Sequence, residues 1–191
     1  MSERKYWVGF NIVPGIGPAK VRALLDHFGD LETAWHAEAR DLQAAGLDRR
    51  ALENLLNVRA TLDLDAEMEK IAQAGAQVLT WDDPEYPPLL RKTYSPPPVL
   101  YVKGELRPED EWAVAVVGTR RATVYGKEVT RKIAGELARS GLTIVSGLAR
   151  GIDAQAHRAA LEAGGRTIAV LGCGIDIIYP CLLYTSPSPR D

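Results

Sequence analysis

Two glycine-containing loops near the middle of the sequence carry residue types that suit phosphate binding. The first loop follows a short apolar run and reads Gly118-Thr119-Arg120-Arg121. Glycine lets a ligand approach the backbone, hydroxyl and amide groups donate to phosphate oxygens, and guanidinium groups grip phosphate with two parallel hydrogen bonds. This composition predicts an anion-binding loop. Ion pairing of the two arginines with acids at the edge of a sheet is the structural alternative.

The second loop, residues 146–153, begins at Ser146 and ends at Asp153. Gly147 and Gly151 stand four residues apart and permit a sharp turn, while Arg150 adds a cation. The Asp153 carboxylate can cap the helix that follows. We therefore predict that this loop forms the wall beside the first loop.

Ser146, Asp153 and His157 could also suggest a hydrolytic triad. The chain has no nucleophile-elbow signature, and sequence spacing alone does not fix triad geometry. His157 stands four residues after Asp153, which favours a hydrogen-bonding role on one helix face. No catalytic residue is predicted.

Neither loop matches the common nucleotide-binding patterns. A dinucleotide-binding loop reads Gly-x-Gly-x-x-Gly, and a P-loop reads Gly-x-x-x-x-Gly-Lys-Ser/Thr. A later segment, Gly172-Cys173-Gly174, lacks the third glycine and the following helix. The sequence therefore predicts no NAD or ATP site and no cofactor.

A third candidate site lies near the start of the chain, where a Gly-x-Gly turn joins two helical stretches. Gly15 and Gly17 can bring backbone amides near a DNA phosphate, Pro18 suits the first position of a helix, and Lys20 supplies a charge. The turn resembles a helix-hairpin-helix that contacts duplex phosphates. The alternative is a tight turn in acidic surroundings that repel nucleic acid.

The charge distribution separates these candidates. Residues 112–180 carry nine Lys and Arg residues against five Asp and Glu residues, a net charge of +4. Residues 1–80 carry nine against twelve, and residues 81–111 carry four against seven, a net charge of −3 in each case. The basic segment is the candidate for an anionic partner, although a solvated Arg-rich surface would give the same count.

The periodicity of apolar residues predicts the elements that position these loops. Residues 1–75 have helical spacing, with Val21, Leu24, Leu25 and Phe28 in one stripe. Three helix starts are indicated by aspartates: Asp30, Asp48, and either Asp63 or Asp65.

The middle and later segments have different patterns. Residues 76–111 form a predicted connector with two short strands, in which dense proline argues against a helix. Residues 112–180 alternate between strands and helices, with strands over 113–117, 143–145 and 167–171. The predicted fold class is α/β, an incomplete Rossmann-like parallel sheet after a small all-α domain.

Composition gives the broad class. With 46% hydrophobic and 25% charged residues, the chain is predicted to be globular rather than disordered. Its start lacks a signal peptide and no apolar run suits a membrane span, so a cytoplasmic protein is expected. Two cysteines and three histidines without suitable spacing predict neither a disulfide scaffold nor a metal site.

Several long segments resemble the DNA-processing protein A family, also called DprA or Smf. They read VVGTRRATVYG at 116–126, SGLARGIDAQAHRAAL at 146–161 and TIAVLGCGIDIIYP at 167–180, after DDPEYPPLL and SPPPVLYVKGEL. The resemblance covers about residues 6–180, with the motifs in the family's order. It implies an extended Rossmann domain that binds single-stranded DNA and helps load a RecA-type recombinase in natural transformation, without covalent chemistry.

The resemblance also implies roles for individual residues and partners. Gly118, Thr119 and Arg120 would form the phosphate-gripping loop with Arg121 nearby, and the second loop would shape the adjoining wall. The N-terminal helices would form a sterile-alpha-motif-like or helix-hairpin-helix domain. The intact family protein would form a homodimer and need no membrane. A phosphoribohydrolase-like nucleotide hydrolase is the enzymatic alternative, although its Pro-Gly-Gly-x-Gly-Thr loop does not occur here.

The last eleven residues break the pattern. CLLYTSPSPRD, residues 181–191, resembles the translation of a transposon-derived sequencing adapter. We expect this tail, including Cys181, to be non-native. The remaining strands, the dimer and recombinase surfaces and any winged-helix domain of the family would follow Pro180.

Overall fold

The computed structural model describes residues 3–177, which divide into two compact units between Glu105 and Leu106. The elements of the first unit are α1 (Arg4–Ile12), α2 (Pro18–Phe28), α3 (Leu31–His36), α4 (Ala39–Ala44), α5 (Arg49–Thr61), α6 (Leu64–Gln73), β1 (Ala76–Thr80), α7 (Pro88–Arg91) and β2 (Val99–Lys103). Those of the second are a 3₁₀ helix (Pro108–Glu111), β3 (Ala113–Ala115), α8 (Val124–Arg139), β4 (Thr143–Ser146), α9 (Ile152–Glu162) and β5 (Thr167–Ala169).

Aspartate side chains begin three helices of the first unit, as predicted. The Asp30 carboxylate accepts the Thr33 N–H at 2.7 Å, and the Asp48 carboxylate accepts the Ala51 N–H at 2.9 Å. Asp63 caps α6 by accepting two amide hydrogens at 3.0 Å, which decides between the two candidates at that helix. Each such cap stabilises its helix by about 1 kcal/mol.

The helices of the first unit enclose a core of aliphatic and aromatic side chains. In the predicted α2 stripe, Val21 and Leu24 are buried, while Leu25 and Phe28 pack against the core from its margin. The fully buried side chains include Val8, Phe10, Leu24, Leu42 and Leu55.

The proline-rich segment belongs to this unit. β1 and β2 pair antiparallel, and Val78 and Val99 are buried in the helical core. The expectation that proline excludes a helix here is wrong, because Pro88 begins the single-turn helix α7. Proline fits the first turn of a helix, where its missing N–H would have no partner.

The second unit contains a parallel sheet with strand order β3-β4-β5, connected through α8 and α9. β3 and β5 end two residues earlier than predicted. Val116 and Val170 each donate one further ladder hydrogen bond, but the pairing stops there, and Val117 is 68% exposed. Alanines dominate the core between α8, α9 and the sheet, which permits close approach of the two helices: Ala134, Ala138, Ala156, Ala159 and Ala160.

An ion pair joins the 3₁₀ helix to the residue before β5. The Asp110 carboxylate accepts from Arg166 Nε at 2.5 Å and Nη2 at 2.7 Å, and from the Thr143 hydroxyl at 3.0 Å. Burial raises the pKa of Asp110, but the hydrogen bonds from Arg166, the Arg107 backbone and Thr143 outweigh it and hold the pKa below its usual range. This pair therefore stabilises the charged carboxylate.

The boundary between the units falls inside the segment predicted as a connector. The assignment of 1–75, 76–111 and 112–180 as separate segments stays a prediction. The predicted tail, 181–191, lies outside the described residues. Across residues 3–177, every helix is too short or too polar to cross a lipid bilayer.

Candidate functional site

The two predicted phosphate loops follow neighbouring parallel strands. The first strand-end loop, residues 116–123, connects β3 to α8, and the second, residues 147–151, connects β4 to α9. Because the carboxyl ends of parallel strands meet at one edge of a sheet, this topology brings the two loops together. The Thr123 hydroxyl accepts the Gly126 N–H at 3.0 Å and fixes the start of α8.

One buried carboxylate links the two loops. Asp153, on the first turn of α9, is 7% exposed. Its Oδ1 accepts the Gly118 N–H and its Oδ2 accepts the Gly147 N–H, each at 3.2 Å. A carboxylate taken out of water needs such donors, and here they come from both loops. Asp153 therefore positions the loops relative to each other.

Gly151 allows the second loop to lie directly against the first. Its φ is +87°, a backbone conformation that side chains disfavour, and an added Cβ would lie 2.2 Å from Thr119 O and 2.7 Å from Arg120 O. The next residue, Ile152, donates its N–H to Thr119 O at 3.2 Å. Glycine at position 151 is therefore a steric requirement of this arrangement.

The joined loops and the N-terminal halves of α8 and α9 line a cavity of about 340 Å³, which we call the cation cavity. Its polar lining comprises Arg120, Arg121, Lys127, Arg150, Gln155 and Arg158. The rest is alanine and glycine. Five positive charges thus surround a space at the small end of ligand pockets.

These five cations differ from three other arginines of the second unit. Arg131, Arg139 and Arg166 pair with carboxylates at 2.7, 2.8 and 2.5 Å, respectively. Within the described chain, no carboxylate pairs with a cation of the cavity. Ion pairing, the alternative considered for Arg120 and Arg121, is thus not what the structure shows in residues 3–177. Clustered like charges repel, so this arrangement favours an anionic ligand.

The structure separates the predicted site residues into two groups. Arg120, Arg121, Arg150 and Gly151 line the cation cavity. The others do not line the cavity but make hydrogen bonds within and between the loops: Gly118, Thr119, Ser146, Gly147 and Asp153. The Thr119 hydroxyl accepts the Arg121 N–H at 3.2 Å, and the buried Ser146 hydroxyl donates to Val116 O at 2.6 Å.

Sequence reasoning missed three polar residues of the lining: Lys127, Gln155 and Arg158. On α9, Ala154, Gln155 and Arg158 follow Gly151 at intervals of three, four and seven residues, which is one face of a helix. That spacing was a usable signal. Lys127 on α8 offered no comparable pattern, because its contribution depends on how α8 is placed after the first loop.

The candidate triad is not assembled as catalytic machinery. The Ser146 hydroxyl is committed to Val116 O, and His157 Nδ1 contacts Thr167 Oγ1 at 2.6 Å. The Thr167 hydroxyl also donates to Ile144 O at 2.7 Å. Burial lowers the pKa of His157, and the Asp153 carboxylate only partly opposes this. His157 is a buried structural histidine.

The N-terminal turn has the predicted backbone but a neutralised lysine. Gly15 has a φ of +90°, Gly17 caps α2, and Pro18 occupies its first turn. The Lys20 ammonium donates to Gly15 O at 2.8 Å and pairs with the Asp48 carboxylate. The positive charge that a phosphate would need is therefore matched by an acid of the same unit.

Comparison with known proteins agrees with this architecture. The family model described as DNA recombination-mediator protein A matches residues 77–184. The chain is 45% identical over 184 residues to protein Smf of Synechocystis, covering 94% of this chain and 46% of that protein. It is 39% identical over 145 residues to protein Smf of Escherichia coli, covering 76% and 38%, respectively.

A solved structure has a similar fold. The X-ray structure of DNA processing protein A from Streptococcus pneumoniae matches with a TM-score of 0.73 and 30% identity, covering 92% of this chain and 60% of that one. The predicted α/β class with a Rossmann-like parallel sheet is confirmed.

The chain spans about half the length, or less, of the curated relatives it matches. The matched family model is named for DNA recombination, and the similar solved structure is named for DNA processing. Since the family model covers more than half of the chain, the long motifs lie in the matched segment, and the fold agrees, this chain belongs to the DNA recombination-mediator protein A family.

Proposed function

We propose that this chain binds single-stranded DNA through the cation cavity, without enzymatic turnover and without strong sequence preference. The observation that carries the proposal is the convergence of five cations that lack carboxylate partners in residues 3–177 on two loops held together by Asp153 and Gly151. Arginine and lysine contacts to phosphate give affinity but no sequence information.

Phosphate contacts make binding strongly dependent on salt. Each phosphate neutralised on a single strand contributes about −0.7 to the slope of log affinity against log salt. We expect a steep, nearly linear slope in fluorescence anisotropy titrations of labelled oligothymidine and mixed-sequence strands, with similar affinities for the two. A response independent of salt would contradict binding through the cavity.

Recombinase loading is proposed for the full-length protein, because this chain covers only part of its relatives. The full-length protein is expected to form a homodimer and to increase assembly of a RecA-type recombinase on single strands. Assembly measured with and without the full-length protein, and with its Arg120→Ala variant, tests whether loading depends on the cation cavity.

The enzymatic alternative, a nucleotide-processing hydrolase, makes a different prediction. Such an enzyme uses a positioned acid or base beside the reacting atoms. In the described part of the chain, the polar lining of the cavity consists of guanidinium groups, one ammonium and the Gln155 amide. Incubation with nucleoside monophosphates should leave them intact, and release of free base would support the hydrolase instead.

A further inference from the structure

The composition of the cation cavity points to a more specific ligand than a continuous strand. Sites that hold single strands usually combine cations with aromatic side chains on which bases stack. Among the described residues that line this cavity there is no aromatic side chain; its surface is formed by Arg, Lys, Gln, Ala and Gly. The cavity is therefore built for a phosphate group rather than for a base.

The number of charges is also too high for one internal phosphate. A phosphodiester carries a single negative charge, whereas a phosphate monoester carries about 1.5 to 2 at neutral pH and offers three strong acceptor oxygens. Five cations surround about 340 Å³. One phosphodiester would leave most of this positive charge uncompensated, while a terminal phosphate or an oligophosphate would match it better.

Two backbone amides at the start of α9 already have hydrogen-bond acceptors within the protein. The amides of Ile152 and Ala154 donate to Thr119 O and Ala149 O, at 3.2 and 3.0 Å. These first-turn amides of α9 are thus occupied by the two loops. A ligand must be held mainly by guanidinium and ammonium groups, and guanidinium forks bind terminal phosphate oxygens in pairs.

We infer that the cation cavity selects a phosphate group with more than one negative charge, either the 5′-phosphate of a DNA strand or the phosphates of a free nucleotide, over an internal phosphodiester. The inference deepens the proposed function and rests on it for the DNA end. For the free nucleotide it stands independently, since the same cations would bind either source.

The test compares oligothymidine strands that differ only at the 5′ end. Strands of equal length with a 3′ fluorophore and either a 5′-hydroxyl or a 5′-monophosphate are titrated with the full chain. We expect the phosphorylated strand to bind about tenfold more tightly, as one additional charge-assisted contact would give. A circular strand, which has no end, should bind like the 5′-hydroxyl strand.

Two arginine variants connect this preference to the cavity. Arg158 is exposed and lines the cavity, so Arg158→Gln should reduce the ratio of the two affinities towards one. Arg131 is also exposed but pairs with Glu128 outside the cavity, so Arg131→Gln should keep the ratio. Thermal melting of both variants controls for folding. An end preference that survives Arg158→Gln and disappears in Arg131→Gln would overturn the assignment.

A second experiment, with free nucleotides, distinguishes the 5′-phosphate of DNA from the phosphates of a free nucleotide as the ligand. Calorimetry with thymidine triphosphate and with thymidine measures binding directly, and competition against the oligonucleotides shows whether the site is shared. Binding of the triphosphate alone, with no end preference on DNA, supports the free nucleotide as the source. Equal affinity for all strands with no triphosphate binding would overturn the inference but leave the proposed function intact. Triphosphate binding without binding of any strand would overturn the proposed function instead.

Discussion

The N-terminal turn and the cation cavity both carry glycines and cations suited to phosphate, but they differ in whether a carboxylate pairs with the cation. Lys20 at the turn is paired with Asp48 and bonded to Gly15 O. In the part of the chain that the structure describes, Arg120 and Arg150 in the cavity have no such partner. The difference shows that a cation beside glycines signals an anion site only when its own surroundings leave the charge uncompensated.

The largest effect is expected from Gly151→Ala, which should close the cation cavity. The new Cβ would meet Thr119 O at 2.2 Å, so the loops must separate. Loss of two or more phosphate contacts should weaken single-strand binding about a hundredfold, measured by anisotropy.

Gly164→Ala is the matched control for Gly151→Ala. Gly164 also has a positive φ, +71°, but an added Cβ meets nothing within 4 Å. Backbone strain of about 1 kcal/mol should lower the melting temperature in this variant without changing binding. Equal binding by the two variants would show that contact between the loops is unimportant.

Arg120→Ala should weaken single-strand binding about tenfold, because it removes one hydrogen-bonded phosphate contact. The slope of log affinity against log salt should become shallower by about 0.7, the contribution of one phosphate contact on a single strand. Arg131→Ala removes the same charge from α8 but breaks only the exposed pair with Glu128, so its affinity should stay within about twofold. A similar loss in both variants would mean that net charge, not the cavity, determines binding.

A smaller effect is expected from Asp48→Ser, which tests the N-terminal turn where Asp48 pairs with Lys20. Serine preserves an N-cap for α5 but removes the carboxylate that pairs with Lys20. The released ammonium should increase binding to duplex DNA about twofold to threefold at low salt, since an exposed phosphate contact is weak. Asp48→Glu retains the negative charge and serves as the control. Unchanged duplex binding in both variants would show that the N-terminal turn does not bind phosphate even when Lys20 is unpaired.

The smallest expected effect is a dependence of the free energy of unfolding on pH through His157 and Asp110. Because burial lowers the pKa of His157 in the folded state, the unfolded chain binds more protons below about pH 6.5, and stability should decrease as the pH falls through that range. Asp110 has a lowered pKa, so its contribution should disappear at still lower pH, as the folded carboxyl becomes protonated. Urea unfolding at pH 8, 6 and 4 measures the His157 step, and a further measurement at pH 2 measures the Asp110 step. In His157→Gln the decrease between pH 8 and 6 should be smaller.

Much of the fold could be predicted from local sequence, because helix caps and apolar periodicity act over a few residues. Asp30 and Asp48 begin their helices as predicted, and the stripe on α2 faces the core. The single turn α7 was missed because a rule about helix interiors does not apply to prolines at a helix start.

The candidate site was only partly predictable. Loop composition identified Arg120 and Arg150, but Arg158 enters the cation cavity through the placement of α9, which depends on the contact of Gly151 with the first loop. The pairing of Lys20 with Asp48 joins residues 28 apart in sequence. No local pattern indicates such a pairing. The residue motifs therefore predicted the cation cavity in part, but they did not predict that Lys20 is paired.

The shared carboxylate of Asp153 has a consequence for how fast and at what entropic cost a ligand is captured. Since one side chain fixes the amides of Gly118 and Gly147 before any ligand arrives, both arginine-bearing loops are preorganised, and association need not order them. These two amides should exchange slowly with solvent in the free protein. Their protection should be lost together, because the two loops share a single anchor.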